Sequence, residues 1–240
     1  MVNTTFIVDV FDDFISSLDF STKVLALNND GVNTDLKVEN VYHARAYGVV
    51  AGTSDRRRVL KVDGNEYPII SVNYADNEIT VEGVILTAQT AIVQTPFYFH
   101  GTPIDTAMLV DKYANDESVP MIYLSEVIKE NHSLNSVPTF GADLSLFFMD
   151  SVSYGKNITD TIYAEAVTPM RNLVNAFLAS IAARVDLFES FGVDYSVVNY
   201  VKWGYFRGAD GNSKKVFNKE LAGIEVRFRD LKFWYKNNCC

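Results

Sequence analysis

The chain has 240 residues, 48% of them hydrophobic, which is enough for one large domain or two small ones with a sizeable core. Its 21 basic and 30 acidic residues give a net charge of −9, which disfavours broad binding to nucleic-acid phosphate. We expect neither a signal peptide nor a membrane-spanning helix, because no long uncharged apolar run is present. Two adjacent cysteines cannot form a disulfide that links distant parts of the fold, so we expect the chain to fold in a reducing cytoplasm.

The first segment has the pattern of an amphipathic helix. Apolar residues recur at spacings of three and four between residues 6 and 18, while Asp9, Asp12 and Asp13 lie on the opposite face. A short strand is predicted over residues 23–27. We therefore expect a surface helix that packs its apolar face on a sheet.

Residues 28–93 have a different character, with short β-rich runs separated by turn residues and no convincing helix. The spacing of these runs is typical of a meander of hairpins. We predict an inserted all-β module over residues 28–93. Residues 1–27 and 94–240 are then expected to form one core domain.

The core domain contains a strong helix signal and a strong strand signal. Residues 142–149 alternate as a buried strand. A long helix is predicted from Thr168, as N-cap, with Pro169 in its first turn, an apolar face that reaches Phe188, and Gly192 as terminator.

Two strands are predicted at the end of the chain, over residues 196–206 and 221–236, joined by a polar tip at 207–215. In the last strand the apolar positions change phase after Arg229–Asp230, which predicts a β-bulge or a sharp bend there. The expected fold class is α+β, with a helix-on-antiparallel-sheet core and an inserted all-β hairpin module.

The sequence contains none of the common catalytic, phosphate-binding or zinc-binding motifs. His43, His100 and His132 lie far apart in different local settings, so each is interpreted as a structural or surface histidine. We therefore expect no metal, no cofactor and no enzymatic activity. The competing enzyme hypothesis requires His100 or His132 to converge with carboxylates.

Two polar segments are candidate contact sites. Arg56, Arg57 and Arg58 form the only basic run, which we interpret as a solvated tip or a contact to an acidic partner surface. Asp210 and Asn212 have the spacing that opens a calcium loop, but Leu221 stands where that loop requires glutamate. We interpret this second segment as a flexible hairpin tip that contributes subunit contacts.

The closing strand carries Phe233, Trp234 and Tyr235, which place large rings on both of its faces. Because a single domain covers only one face of a terminal strand, we predict that another subunit covers the other face. Cys239 and Cys240 follow this strand and are interpreted as free thiols.

Five segments carry a resemblance to a known family: TTFIVDVFDDFISSL, ADLSLFFMD, TPMRNLVNAFLASIAARV, VVNYVKWGYF and LAGIEVRFRDLKFWYK. Their order resembles that of the head–tail joining and tail-completion proteins of tailed bacteriophages, most of all the ring proteins of crAss-like phages. It implies a virion protein without catalytic residues, assembled in the host cytoplasm and located in the connector between portal and tail.

The resemblance also implies partners. They are further copies in a ring of about twelve, or six, subunits, the portal or adjacent connector and tail proteins, and DNA that passes through the channel without specific binding. No membrane partner is implied. The alternative hypothesis is a tail-associated binding module for attachment to the host surface.

Overall fold

The structure is a computed structural model that describes residues 4–45, 58–112, 119–132, 139–152, 162–189, 193–207, 213–215 and 220–234. It is a mixed α+β protein in which strands predominate. The described residues form two compact units. The barrel unit comprises Leu18–Pro96, and the sheet unit comprises the described residues before and after that range.

The barrel unit is a closed, antiparallel barrel with the strand order β1-β2-β5-β4-β3-β6. Its strands are β1 (Ser21–Asn29), β2 (Asn33–Val38), β3 (Val59–Val62), β4 (Asn65–Asn73), β5 (Glu78–Glu82) and β6 (Thr90–Val93). Alternate residues point inward and are buried, including Leu36, Val38, Leu60, Val62, Ile79, Val81, Ala91 and Val93. The barrel therefore has a hydrophobic core of its own.

The boundaries of this unit differ from the predicted module of residues 28–93. Strand β1 pairs with β2 on one side and with β6 on the other, so it closes the barrel and belongs to it. The pairing of Ser21 with Ile92 joins residues that are distant in sequence. The alternation of polar and apolar residues along β1 does not identify the strand with which it pairs. The predicted boundary was therefore placed after β1 instead of before it.

The sheet unit contains a sheet with the order β11-β14-β10-β8-β7, in which β9 also pairs with β10. Its strands are β7 (Phe97–Gly101), β8 (Met121–Ser125), β9 (Lys129–His132), β10 (Thr139–Ser151), β11 (Asp194–Trp203) and β14 (Leu221–Trp234), and a separate ribbon pairs β12 (Tyr205–Arg207) with β13 (Ser213–Lys215). All pairs are antiparallel except β7 with β8, which is parallel. The helices are α1 (Thr4–Ser16), α2 (Pro103–Lys112) and α3 (Thr168–Ala183).

Six phenylalanine rings connect the helices of the sheet unit with its sheet. We call them the phenylalanine cluster: Phe11, Phe14, Phe148, Phe177, Phe188 and Phe233. The ring of Phe148 on β10 lies 5.1 Å from that of Phe177 on α3, which lies 5.3 Å from that of Phe14 on α1. Edge-to-face and offset aromatic pairs at these distances add to the stabilisation from burial itself.

The predicted bulge at Arg229–Asp230 is confirmed. Ala142 pairs with Leu231 and Leu144 pairs with Phe228, so two residues of β14 lie opposite Asp143 alone. Asp230 has a φ of 51°, and its amide donates a hydrogen bond of 2.8 Å to the Asp143 carboxylate. That bond lowers the pKa of Asp143. The bulge changes which side chains of β14 face the core, as the change of phase indicated.

The start of α3 differs from the prediction. Thr168 has helical φ and ψ of −64° and −49°, and its amide donates to the carbonyl of Tyr163 because a π-helical turn, Tyr163–Val167, leads directly into α3. Thr168 is therefore inside a continuous helical segment and is not its N-cap. Pro169 lacks an amide and crowds the preceding turn, and a wider turn accommodates it. Helix α3 ends at Ala183, and Gly192 lies outside the described residues.

The close approach of β10 and β14 predicts unequal costs for two glycine substitutions. A Cβ at Gly223 would overlap the backbone carbonyl oxygen of Phe148, whereas one at Gly141 would meet the carboxylate of Asp230, which can rotate away. We expect Gly223→Ala to lower the free energy of unfolding by about 3 kcal/mol and Gly141→Ala by about 1 kcal/mol. Urea denaturation followed by circular dichroism measures both free energies of unfolding. Equal losses for the two variants would contradict the difference in contacts described for Gly223 and Gly141.

Candidate assembly surface

Strand β11 forms one edge of the sheet, and more than half of its residues are exposed. It pairs with β14 on one side, and no strand of the described residues pairs with its other side. Its first four residues are exposed, and among them Tyr195 retains 45% and Val197 38% of their accessible surface. An edge strand presents unpaired backbone amides and carbonyls, and apolar side chains beside them make it a template for a further strand.

The exposure of these side chains follows from the width of the sheet. Tyr195 pairs with Phe228 and Val197 pairs with Val226, so all four lie on one face of the sheet. Phe228 and Val226 are buried in the centre of the sheet, whereas the β11 residues lie at its rim. The ring of Tyr195 lies 6.1 Å from that of Phe228, which continues the aromatic surface outward to the edge.

Polar contacts on both faces hold β11 in place. On the face that carries Phe148, the guanidinium of Arg171 on α3 donates a 2.8 Å hydrogen bond to the side-chain oxygen of Asn199. On the opposite face, the hydroxyl of Tyr200 donates a 2.8 Å bond to the Glu225 carboxylate. Arg227 adds two bonds to the same carboxylate, of 2.7 and 2.8 Å. A preorganised strand loses less conformational freedom when it binds a partner.

The Glu225 carboxylate is 3% exposed, and its charge is maintained by these donors. Burial alone raises the pKa of Glu225, but the hydrogen bonds from Arg227 and Tyr200 outweigh burial and hold the pKa below its usual value. Burial and the bond to Glu225 raise the pKa of Tyr200, and Glu225 raises the pKa of Arg227. The neutral Tyr200, the anionic Glu225 and the cationic Arg227 therefore form one hydrogen-bonded network with a structural role.

The ribbon of β12 and β13 begins two residues after the end of β11. Within it Tyr205 pairs with Lys215, and Arg207 pairs with Ser213. The ammonium of Lys202 lies 4.9 Å from the centre of the Tyr205 ring, which is a favourable cation–π distance. Both side chains of this pair are exposed.

A second exposed surface lies on the barrel unit, at the end of the barrel opposite to the entry and exit of the chain. The register places the β1–β2 turn and the β5–β6 loop at this distal end. Thr34 connects them, because its hydroxyl donates to the Gly83 carbonyl at 2.7 Å and accepts from the Ile85 amide at 2.9 Å. The exposed aliphatic side chains there are Val32, Val84 and Leu86, of which Leu86 is 81% exposed.

The rings of His43 and His100 are each hydrogen-bonded to a backbone carbonyl. His43 is buried, with its Nε2 atom 2.7 Å from the carbonyl oxygen of Gln94, and the Nδ1 atom of His100 lies 3.2 Å from that of Leu124. His132 belongs to β9 and pairs with Phe140. In the part of the chain that the structure describes, no group of three or more His, Cys, Asp or Glu residues is placed to hold a metal ion. Nor does any described helix have the length and apolar character needed to cross a bilayer.

The predicted contact residues have mixed outcomes. Phe233 is 1% exposed and belongs to the phenylalanine cluster, so it is part of the core of its own unit, which corrects its assignment to a subunit contact. Arg58 is buried, which corrects its assignment to a solvated tip. The backbone of Trp234 pairs with that of Thr139. The remaining candidates lie outside the described residues: Arg56, Arg57, Asp210, Asn212 and Tyr235.

Sequence reasoning missed Tyr195 and Val197 as exposed contact residues. The segment DYSVVNYVKW reads as an ordinary strand, and nothing in its composition separates an edge strand from a central one. The one available signal was the polar segment at 207–215, which follows this strand closely in the sequence.

The Glu225 network predicts a loss of stability in acid. Because the folded-state pKa of Glu225 is depressed, its contribution is complete above the unfolded pKa near 4.5 and disappears as the pH falls through the folded value. We expect Glu225→Gln to reduce the free energy of unfolding at pH 7 by about 1–3 kcal/mol and to flatten its dependence on pH below about 5. Denaturant titrations across pH measure this effect. As control, Asp186→Asn removes an exposed pair with Arg184 and should change the free energy by less than about 1 kcal/mol.

No protein-family model, no curated protein and no solved structure matches this chain. Its function therefore has to be inferred from its own residues and their geometry.

Proposed function

We propose that this protein is a structural subunit of the head–tail connector of a tailed bacteriophage, where copies of it form a ring around the DNA channel. In this proposal the sheet unit is the helix-on-antiparallel-sheet core of a tail-completion-like protein, and the barrel unit is its insertion. The observation that carries the proposal is β11, an edge strand with exposed apolar side chains and no covering strand among the described residues.

A ring requires heterologous contacts, in which one surface of a subunit binds a different surface of the next. Addition of a strand to an exposed sheet edge is a common way to make such a contact, because backbone hydrogen bonds supply affinity and alternate side chains supply specificity. Tyr195 and Val197 supply alternate apolar side chains at the edge of this sheet. The Glu225 network keeps the strand in a fixed geometry without occupying its free edge.

The charge of the chain is compatible with passage of DNA. A net charge of −9 repels phosphate on average, so DNA that moves through a ring of such subunits is not retained by release of counterions. The proposed partners are further copies of this chain and the portal or adjacent connector and tail proteins. The proposed location is the virion, after assembly in the host cytoplasm.

The second candidate function is a tail-associated module for attachment to the host surface. The distal loops of the barrel support it, because Val32, Val84 and Leu86 form an ordered and exposed aliphatic surface. Aliphatic side chains favour contact with a protein, since carbohydrate binding commonly uses aromatic platforms and polar donors. This surface is also compatible with a contact to a neighbouring connector protein.

A charge at the sheet edge tests the ring proposal. Val197→Lys places an ammonium on β11, which disfavours the addition of a strand because the charge would have to be desolvated. We expect association of the purified chain, measured by multi-angle light scattering, to weaken about tenfold or more. The matched control is Val185→Lys, which adds the same charge at an exposed position outside β11. A wild-type chain that remains monomeric alone and with neighbouring virion proteins would contradict the proposal.

The distal loops give a test of the second candidate. Leu86→Ser removes most of the exposed apolar surface of the β5–β6 loop and leaves the Thr34 hydrogen bonds intact. If the protein attaches virions to a host, we expect binding of the purified chain to host cells to fall about tenfold while ring assembly is unchanged. Cell binding that is absent in the wild type would exclude this candidate.

A further inference from the structure

Strand β7 forms the second edge of the sheet. It pairs with β8 on one side, and no strand among the described residues pairs with its other side. The amide of Phe97 and the carbonyl of Gly101 form hydrogen bonds of 2.9 and 3.2 Å with the residues that flank β8. Because the backbone groups of successive residues in a strand point to alternate sides, the amides and carbonyls of Tyr98 and His100 point away from β8. No hydrogen bond from the described residues reaches these outward groups.

Neither edge strand carries the charges that commonly protect a sheet edge from further pairing. The sequence of β7 is FYFHG, without Asp, Glu, Lys or Arg. Strand β11 is uncharged from Tyr195 to Val201, and its charged residues, Asp194 and Lys202, lie on either side of this stretch. Both edges are therefore open to the addition of a strand.

The two edge strands run in opposite directions. Strand β14 is antiparallel to both β10 and β11, so β10 and β11 run in the same direction. Strand β8 is antiparallel to β10, and β7 is parallel to β8, so β7 runs against β11. When a second copy continues the sheet in the same orientation, its β7 therefore meets β11 as an antiparallel partner. Antiparallel pairs are the more frequent kind and are slightly more stable per residue.

Two rows of paired residues cross the sheet and connect its edges. The first row comprises Asn199, Ile224, Phe148, Ile122 and Tyr98. The second row comprises Val197, Val226, Leu146, Leu124 and His100. Continued into a second copy without a shift along the strands, the rows place Tyr98 opposite Asn199 and His100 opposite Val197. Both residues of β7 with outward backbone groups then meet the uncharged stretch of β11.

The two ends of the first row carry opposite charges on the same face of the sheet. At the β11 end, the exposed guanidinium of Arg171 is bonded to Asn199. At the β7 end, α1 packs over β7. Burial raises the pKa of the Tyr98 hydroxyl there, and the nearby carboxylates of Asp12 and Asp9 raise it further. A continued row therefore brings the cation of one copy towards the anions of the next, which favours a second copy over an unrelated strand.

We propose that, in the ring, β11 of one copy adds antiparallel to β7 of the next copy, so that the sheets of neighbouring subunits are continuous. This inference rests on the proposed ring and names the two surfaces that join its subunits. The contact is heterologous, because β11 and β7 are different edges, and every copy uses both of them only when the ring closes. Pairing of β11 with β11 of a second copy is the two-fold alternative, which ends at a dimer.

Disulfide cross-linking tests the contact at one pair of residues. Full-length chains with Cys239→Ser and Cys240→Ser carry either Val197→Cys or His100→Cys. Directly opposed residues of an antiparallel pair have Cα atoms about 4.5–5.5 Å apart, which is within the range of a disulfide. Under mild oxidation, we expect an equimolar mixture of the two chains to form a covalent dimer, and each chain alone to form about tenfold less. A chain with both substitutions should form a ladder of covalent oligomers on a non-reducing gel.

The matched control uses Val185→Cys in place of Val197→Cys, which moves the thiol to an exposed position outside β11. Mixed with the His100→Cys chain, it should not form the covalent dimer. Circular dichroism checks that every variant is folded. If the change at His100 prevents folding, a mixture of Asn199→Cys and Tyr98→Cys chains tests the first row in the same way.

The outcomes separate this contact from the ring itself. A mixture that does not cross-link, although the wild-type chain associates, would overturn the contact and leave the ring proposal intact. Cross-linking of the Val197→Cys chain with itself would overturn it in favour of a two-fold dimer through β11. Association only with a neighbouring virion protein would overturn it in favour of an unrelated strand. A wild-type chain that stays monomeric alone and with those proteins would overturn the ring proposal and the contact with it.

Discussion

The packing of the phenylalanine cluster is the constraint on which the sheet unit depends. It joins a helix at the start of the described chain to two strands and a second helix that follow the barrel unit in sequence. Full burial of one such ring contributes about 1.5–3 kcal/mol, which is a large part of the net stability of a domain. Two rings of the cluster, Phe148 and Phe233, belong to the neighbouring strands β10 and β14, which lie inside the sheet order, whereas β11 is at its edge.

Features that depend on neighbouring residues could be predicted from the sequence. The bulge at Arg229–Asp230 is one example, because a change of phase within one strand is a local signal. Closure of the barrel is the opposite case. It depends on the pairing of Ser21 with Ile92, and β-rich segments with similar alternation are compatible with many partners. The π-helical turn before Thr168 was also missed, since a proline near a helix start equally favours an ordinary first turn.

The candidate surface was harder to predict than the fold. Phe233 and Tyr195 are both aromatic residues on strands of the same sheet, and the sequence predicted the exposed role for the wrong one. Their difference arises from what covers them. Phe233 contacts Phe11 of α1 and Phe188 after α3, whereas Tyr195 lies on the edge strand and is 45% exposed. The position of a strand within the sheet order is a property of the whole topology, and therefore it is not encoded in the local pattern of hydrophobic residues.

The distance in sequence between α1 and its ring partners has a consequence for synthesis of the protein. Phe148 follows Phe14 by about 130 residues, which corresponds to roughly 7 to 26 seconds of translation. A helix of 13 residues is marginal in water on its own, so the apolar face of α1 has no stable partner during this interval. The barrel unit has all its strands by Val93 and can fold meanwhile. The exposed aspartates of α1 give the nascent segment a charged face, which favours its solubility during this interval.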